Sequence, residues 1–285
     1  YIEVLLSRMK VNPKYDKSCS LILCFDGIYG RQLRGAIYDS YKSNRTLASE
    51  GASTHEGKDV RDIFSSSGLE VNDLKPRWTS EYDENKEADD LIAELCLSEL
   101  LKGNKVVILS GDTDLFQLLR YPDVRLNNFR KEITAEDVVE KYGVSPDHFA
   151  DWKALAGDAS DNIPGVHGIG EKKAASLLGQ YTALENIPSE EFRTYSAGNI
   201  KTLAAKVKRV REDNKWSISK CKKEFGSAWE KIEKGQKVSL NAEQVRKLTN
   251  AFDISGYLIF DDYYHRALMW KRLVRLPFGD GQPTI

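Results

Sequence analysis

The sequence predicts an α/β fold: a central, mainly parallel sheet flanked by helices, followed by a helical lobe. Three observations lead there. Apolar runs of strand length occur at Ser20–Phe25 (SLILCF) and Lys105–Leu109 (KVVIL), with helical spacing between them. A strand, helix, strand, helix order is that of a parallel sheet. Past about residue 134, strand signals stop and helix signals continue.

The elements follow in order. Tyr1–Lys10 has helical spacing at Ile2, Leu5, Leu6 and Met9. Ser20–Phe25 is a short buried strand ending at Asp26-Gly27, and Arg31 to about Arg45 reads as a helix. Residues 46–74 open Ser- and Gly-rich with weak periodicity, as a loop excursion does. Glu87–Leu101 is a helix, with Leu91, Ile92, Leu95, Cys96 and Leu100 toward its apolar side. Lys105–Leu109 is a second strand running into SGDTD. Leu115–Leu119 is a short helix and Val124–Asn127 a third strand. Thr134-Ala135-Glu136-Asp137 forms a helix N-terminal box. Ser145-Pro146 sets an N-cap before a proline at the first helical position. The remaining helices are Asp147–Ala156, Glu171–Leu178, Ile200–Arg211 and Asn241–Phe252.

The chain has 285 residues, room for one large domain or a core with a smaller lobe. Charged residues at 30% and hydrophobic ones at 41% describe a soluble globular protein, and no apolar run is long enough to span a membrane. Lys+Arg number 42 against 43 Asp+Glu, so the overall balance does not advertise nucleic acid and any such role rests on local distribution. The four cysteines form no CxxC pair, as free thiols in a reducing compartment do not. The four histidines do not cluster, and no zinc site is expected.

Gly157–Lys173 (GDASDNIPGVHGIGEKK) is the most informative stretch. Asp158 and Asp161 are three residues apart, one turn if they lie on a helix. Asn162-Ile163-Pro164-Gly165 should stop that helix, because Pro164 disfavours helical geometry at Ile163. Gly168-Ile169-Gly170 then opens a helix carrying Lys172 and Lys173. Backbone N–H groups of a tight glycine turn, a helix N-terminus and two lysines together suit a phosphate. A metal site beside a phosphate clamp points to phosphodiester chemistry.

Other acidic residues sit at strand ends, where parallel sheets place their sites. Asp26 ends the first strand; Asp112 and Asp114 follow the second; Glu87, Asp89 and Asp90 open a helix. Mg²⁺ takes carboxylate oxygens and water. Two such ions about 3.5–4 Å apart clamp the attacking and leaving oxygens of a phosphodiester. Each residue also has an ordinary reading: helix N-terminal acids, an N-cap at Asp112, a turn residue at Asp26. The set in this order is less well explained that way.

Arg34, Tyr38, Tyr41, Lys42 and Arg45 form a cationic stripe with interleaved rings on the expected helix. Such a stripe suits phosphates and an unpaired base; a solvated face with inward tyrosines is the alternative. Lys201, Lys206, Lys208, Arg209 and Arg211 read as solvated surface.

The motifs CFDG, RGAIYDSYKSNR, KEADD, LSGDTDLFQLL and GDASDNIPGVHGIGEKK, from about Leu21 to Leu178, resemble those of the structure-specific 5′-nuclease (flap endonuclease) family. That family includes the 5′–3′ exonuclease domain of bacterial DNA polymerase I, phage 5′-exonucleases and phage ribonuclease H. The length, with no polymerase domain, is closer to the phage enzymes. The resemblance implies a PIN-like nuclease core over residues 1–140 with a helical arch at about 31–74. A helix–three-turn–helix DNA-binding lobe would cover 141–240, and a C-terminal helical segment and tail 241–285.

It also implies roles. Asp26, Glu87, Asp89, Asp90, Asp112, Asp114, Asp158 and Asp161 would form the two-metal cluster, holding Mg²⁺ or alternatively Mn²⁺. Lys42 and Arg45 would grip the scissile phosphate, with Asp26 and Glu87 counted beside them in catalysis. Tyr41 would stack on the terminal base, and Arg34 would join the nucleic-acid face. Gly165, Gly168 and Gly170, with Lys172 and Lys173, would hold duplex backbone around a K⁺ ion.

The implied activity is Mg²⁺-dependent removal of 5′ ends and flaps during replication, RNA primers included, leaving a 5′-phosphate. Partners would be flapped or nicked DNA, RNA–DNA hybrids, and single-stranded-DNA-binding or clamp proteins. The protein would be a cytoplasmic monomer of a bacterium or a phage-infected host. One departure stands out. The family's first strand, with a further ligand Asp, is not found, and Asp16 is the only Asp before Asp26. A truncated chain or a missing ligand is expected. Two rivals remain: a catalytically silent DNA-binding module of this fold, and a PIN-type ribonuclease, which the glycine turn argues against.

Overall fold

The computed structural model describes residues 20–44 and 78–278. The expectations for Tyr1–Lys10, Arg45 and residues 46–74 lie outside the described residues.

Two parallel pairings form where the apolar runs stand. Strand β1 (Leu21–Phe25) pairs with β2 (Trp78–Tyr82), a strand the sequence reading left out. Strand β3 (Val106–Leu109) pairs with β4 (Val124–Asn127), which pairs antiparallel with β5 (Glu132–Ile133). Among the described residues the two groups are hydrogen-bonded separately. Asp26 and Asp112 follow the C-terminal ends of β1 and β3, the edge at which parallel sheets build sites.

Helix α1 (Gln32–Ile37) is short. The expected continuation to Arg45 is corrected: Tyr38 is already extended, and Lys42 has a φ of 50°. Tertiary bonds replace helical ones there. Lys42 N–H donates to the Asp161 carbonyl at 3.0 Å, and the Asn162 amide donates to the Ser40 carbonyl at 2.8 Å. Helix α2 (Ala88–Leu101) buries Leu91, Ala93, Cys96 and Leu97. A 3-10 turn, Asp114–Arg120, stands where a short helix was expected. Helix α3 (Ala135–Tyr142) has the predicted capping box: Thr134 Oγ1 accepts from Asp137 N–H, and the Asp137 carboxylate accepts from Thr134 N–H. The 3-10 turn Pro146–His148 leads into α4 (Phe149–Ala156), and α5 (Glu171–Tyr181) follows the glycine turn.

The expectation that strands end near residue 134 is also corrected. Strands β6 (Arg193–Ala197), β7 (Ser239–Asn241) and β8 (Leu258–Asp262) make an antiparallel sheet in the order β7-β6-β8. β6 and β7 are short and mostly polar, and their pairing is long-range, so no apolar run announces them; β8 opens on the short apolar run Leu258–Phe260, a strand signal that the sequence reading left out. Helices α6 (Ile200–Asp213), α7 (Ile218–Glu233, kinked at Gly226), α8 (Ala242–Phe252) and α9 (Tyr264–Val274) are the other helices of this part of the chain among the described residues.

Two cores hold these elements. The first joins Leu115, Leu126, Phe149, Leu155 and Phe192 to Trp270 and Leu273 of α9. The second gathers Leu203, Trp229, Ile232, Leu240 and Phe252. Each large side chain fully removed from water contributes about 2 kcal/mol. Trp270, Leu273, Val274 and Leu276 therefore fix α9 firmly on the first core, against α4. Cys24, Cys96 and Cys221 are free thiols, and burial pushes Cys96 up to about 12.

Candidate metal centre and phosphate-binding turn

Two loops bring three carboxylates together. Asp114 opens the 3-10 turn after β3; Asp158 and Asp161 lie in the loop after α4. The ligand oxygens of these three lie within 4.8 Å of one another. Asp158 and Asp161 are not on a helix. Helix α4 stops at Ala156, and Gly157 turns the chain with a φ of 94°. Asp158 and Ile163 then bond each other backbone to backbone, both at 2.8 Å, closing a tight loop that turns the two carboxylates to one side. Asp112 shapes its own segment: its Oδ1 accepts from Asp114 N–H at 2.8 Å, a local turn bond.

Lys153 sits among these oxygens. Its ammonium donates to Asp114 and to Asp158 Oδ2, the latter at 2.6 Å, and the residue is 5% exposed. Burial works against this charge, but the two carboxylates outweigh burial and raise its pKa. Burial pushes the Asp114 carboxyl up to about 7, against the pull of Lys153 and with help from Asp112 and Asp161. Burial also raises Asp158, yet Lys153 more than offsets this and holds it low. Asp161 is raised by burial, with Lys42 pulling the other way. Asp89 is raised well above the usual range by burial and by Asp112, Asp114 and Asp26 nearby. Asp26 also accepts from Ala88 N–H at 2.8 Å, fixing the start of α2.

A basic arm adjoins this cluster. Lys42 Nζ lies 2.6 Å from Glu87 Oε1 and 3.9 Å from Asp161 Oδ1. Glu87 also accepts from Tyr41 Oη at 3.0 Å and from Arg34 Nη1 at 2.8 Å. Burial raises the Glu87 carboxyl, but Lys42 and Arg34 hold it below the ordinary range. Arg34 makes two bonds to Asp90, at 2.6 and 2.8 Å.

This geometry corrects part of the sequence reading. Arg34 and Tyr41, expected on a nucleic-acid face, point inward at 2% and 5% exposure. Their helix ends early, and the guanidinium and phenol satisfy buried carboxylates instead. Glu87 and Asp90 face these donors and are not in the three-carboxylate group. Arg45 lies outside the described residues. Lys153 was missed. Its signal was a lysine five residues before Asp158, which puts it on the last turn of a helix aimed at the acidic loop.

The glycine turn is built as its residues require. Gly165 has a φ of 69°, and a Cβ there would stand 2.5 Å from Gly157 N. Gly168 has a φ of 81° with open space around it. Gly170 caps α5 without a side chain, so the first-turn N–H groups keep no side-chain acceptor at the cap. Lys172 is exposed, and Lys173 lies 3.1 Å from Glu191. Asn44 Nδ2 donates to the Ala159 carbonyl at 2.8 Å, so the basic arm and the acidic loop are docked on each other.

Two family models match this chain. The N-terminal resolvase-like domain of 5′-3′ exonucleases matches residues 3–143, and their C-terminal SAM fold matches residues 144–236. A 5′-3′ exonuclease of Buchnera aphidicola is 31% identical over 205 residues, covering 70% of this chain and 67% of that protein. This chain belongs to the 5′-3′ exonuclease family. Its relatives include a 5′-3′ exonuclease of Aquifex aeolicus, 34% identical over 66% of this chain and 60% of that one. DNA polymerase I of Caldicellulosiruptor bescii is 38% identical over 55% of this chain, which spans only 18% of that protein. Among solved structures, T5 5′-exonuclease with bound zinc superposes with a TM-score of 0.53 at 18% identity, covering 96% of this chain and 80% of that one, a likeness of fold. No helix among the described residues is long and apolar enough to cross a membrane.

Proposed function

We propose that this chain is a divalent-metal-dependent 5′-nuclease, hydrolysing phosphodiesters at 5′ ends, flaps and nicks of DNA in replication. The observation that carries the reading is the convergence of Asp114, Asp158 and Asp161 beside Lys42, with Lys153 among their oxygens. A buried ammonium balances this cluster, as a cation must where carboxylates crowd. The donors are all hard oxygens, which suit Mg²⁺ or Mn²⁺. Asp114, Asp158 and Asp161 would hold one ion; Asp26, Asp89 and Asp112 would hold a second. Bound divalent ions supply the Lewis acidity that activates water and offsets phosphate charge.

The chain's own groups orient the substrate. Lys42, drawn to Glu87, would present its ammonium to the scissile phosphate and offset charge that grows in the transition state. The Gly165–Gly170 turn, the start of α5 and Lys172 would hold duplex phosphates, with K⁺ as the turn's ion. These contacts read backbone and junction shape, so sequence preference should be small and RNA primers in hybrids should be cut too. A cytoplasmic monomer working beside single-stranded-DNA-binding or clamp proteins fits this task.

The test separates cutting from binding. Asp114→Asn should abolish cleavage of a 5′-flap and leave its Kd within about threefold. Lys42→Ala should slow single-turnover cleavage about 100-fold with a smaller change in Kd. Tight binding with no cleavage by the parent chain at any Mg²⁺ or Mn²⁺ concentration would instead favour a silent DNA-binding module.

A further inference from the structure

The segment Leu273–Phe278, at the end of α9, lies beyond both matched family regions, the second of which stops at residue 236. It nevertheless reaches the back of the site from two sides. On one side, the Leu273 carbonyl accepts from Arg34 Nε at 2.8 Å. Phe278 N–H donates to Asp90 Oδ1 at 2.9 Å, and the Phe278 ring lies 4.5 Å from the Arg34 guanidinium. On the other side, Gln117 Nε2 donates to the Val274 carbonyl at 2.8 Å and to the Asp114 carbonyl at 3.0 Å. Leu276 N–H donates to Gln117 Oε1 at 3.3 Å.

We infer that this strap is a positioning element of the nuclease site, setting the Lys42–Glu87 arm against the Asp114 carboxylate; the inference rests on the nuclease reading above. Arg34 is a rigid planar fork. Its Nε is fixed by the strap, Nη1 is shared by Glu87 and Asp90, and Nη2 goes to Asp90. Turning the fork at Nε therefore moves Glu87, and with it the Lys42 ammonium 2.6 Å away. Gln117 ties the same strap to the backbone that carries Asp114. The two arms of the site come from residues 34–42 and 87–90 on one hand and 112–117 on the other. The strap bonds to both. Displacements near 1 Å at a reacting centre cost about 100-fold in rate, so a tie of this kind acts on kcat rather than on binding.

The experiment uses the full chain with Gln117→Leu, Phe278→Pro (which removes the N–H) and Phe278→Ala (which keeps it). Trp229→Leu, in the second core and away from the strap, controls for lost stability. Single-turnover cleavage of a 5′-flap, flap Kd, Mn²⁺ affinity by calorimetry and Tm are measured for each. Gln117→Leu and Phe278→Pro are expected to slow cleavage 10- to 100-fold with flap Kd within about twofold. Phe278→Ala is expected to lose less than Phe278→Pro. Trp229→Leu, at equal or greater loss of Tm, is expected to stay within about threefold of the parent. Parent rates in Gln117→Leu and in Phe278→Pro would overturn the inference, as would losses that merely follow Tm. Should the parent bind Mn²⁺ without cutting, the nuclease reading fails, and the strap is judged by metal affinity alone. Gln117→Leu should then weaken Mn²⁺ about 10-fold, and unchanged affinity overturns the strap. Absence of Mn²⁺ binding by the parent would overturn both.

Discussion

An ammonium among carboxylates sets the charge balance of this site. Lys153 serves Asp114 and Asp158 in a buried setting, and removing one partner of such a set costs about 3 kcal/mol. Lys153→Met should therefore lower Tm markedly in EDTA. Mg²⁺ should return part of that loss, because an ion binding only the folded chain stabilises it by mass action. Calorimetry with and without Mg²⁺ checks this; a Tm deficit that Mg²⁺ leaves unchanged would contradict it. Asp89 offers a second test. Its carboxyl is raised in the folded chain above the usual value near 3.9. The folded state thus binds the proton more readily, so stability is full below that value and falls as pH rises through the folded pKa. Asn carries no such proton. The Tm of Asp89→Asn minus that of the parent, in EDTA, should grow from pH 4 to pH 8; a constant difference would count against the assigned crowding of Asp26, Asp89, Asp112 and Asp114.

At the scale of elements, the Gly157–Gly170 turn decides where the acidic loop points. Gly165→Ala combines a positive φ with a Cβ 2.5 Å from Gly157 N, and should cost about 2–4 kcal/mol. Gly168→Ala meets open space and should cost only about 1–2 kcal/mol, from its φ alone. Denaturant unfolding of both variants measures the difference, and equal losses would contradict the packing described. This turn was legible in the sequence because glycine and proline act locally. So were β1, β3 and the Thr134 capping box, each written in a few consecutive residues. Helix α1 was overextended because what ends it is distant: the bonds from Asp161 and Asn162 to the chain at Ser40–Lys42. Arg34 and Tyr41 then seemed to share a surface stripe, when carboxylates some fifty residues away draw them inward. Strands β6 and β7 were missed for the same cause, since their mostly polar residues are ordered by pairing with distant strands, whereas β8 had a local signal in Leu258–Phe260 that is too short to tell from a helix segment.

For the molecule as a whole, the chain closes on itself. Helix α9 leaves the β7-β6-β8 sheet and returns to the first core, where Lys271 pairs with Asp151 at 2.5 Å and Glu185 at 2.8 Å. Nothing local in the sequence announces that return. The acidic residues stand out in the sequence at strand ends, at one helix start and before the glycine turn, but which of them converge does not. Asp114, Asp158 and Asp161 converge, whereas Glu87 and Asp90 are taken by Arg34, Tyr41 and Lys42. The central claim is that the converging group works with divalent ions to cut DNA. Its most direct measurement is cleavage of a 5′-labelled flap by this chain in Mg²⁺ and in EDTA. The expected result is release of the flap in Mg²⁺, with a 5′-phosphate left on the downstream strand, and none in EDTA. An intact substrate in both, or equal cutting in both, would contradict it.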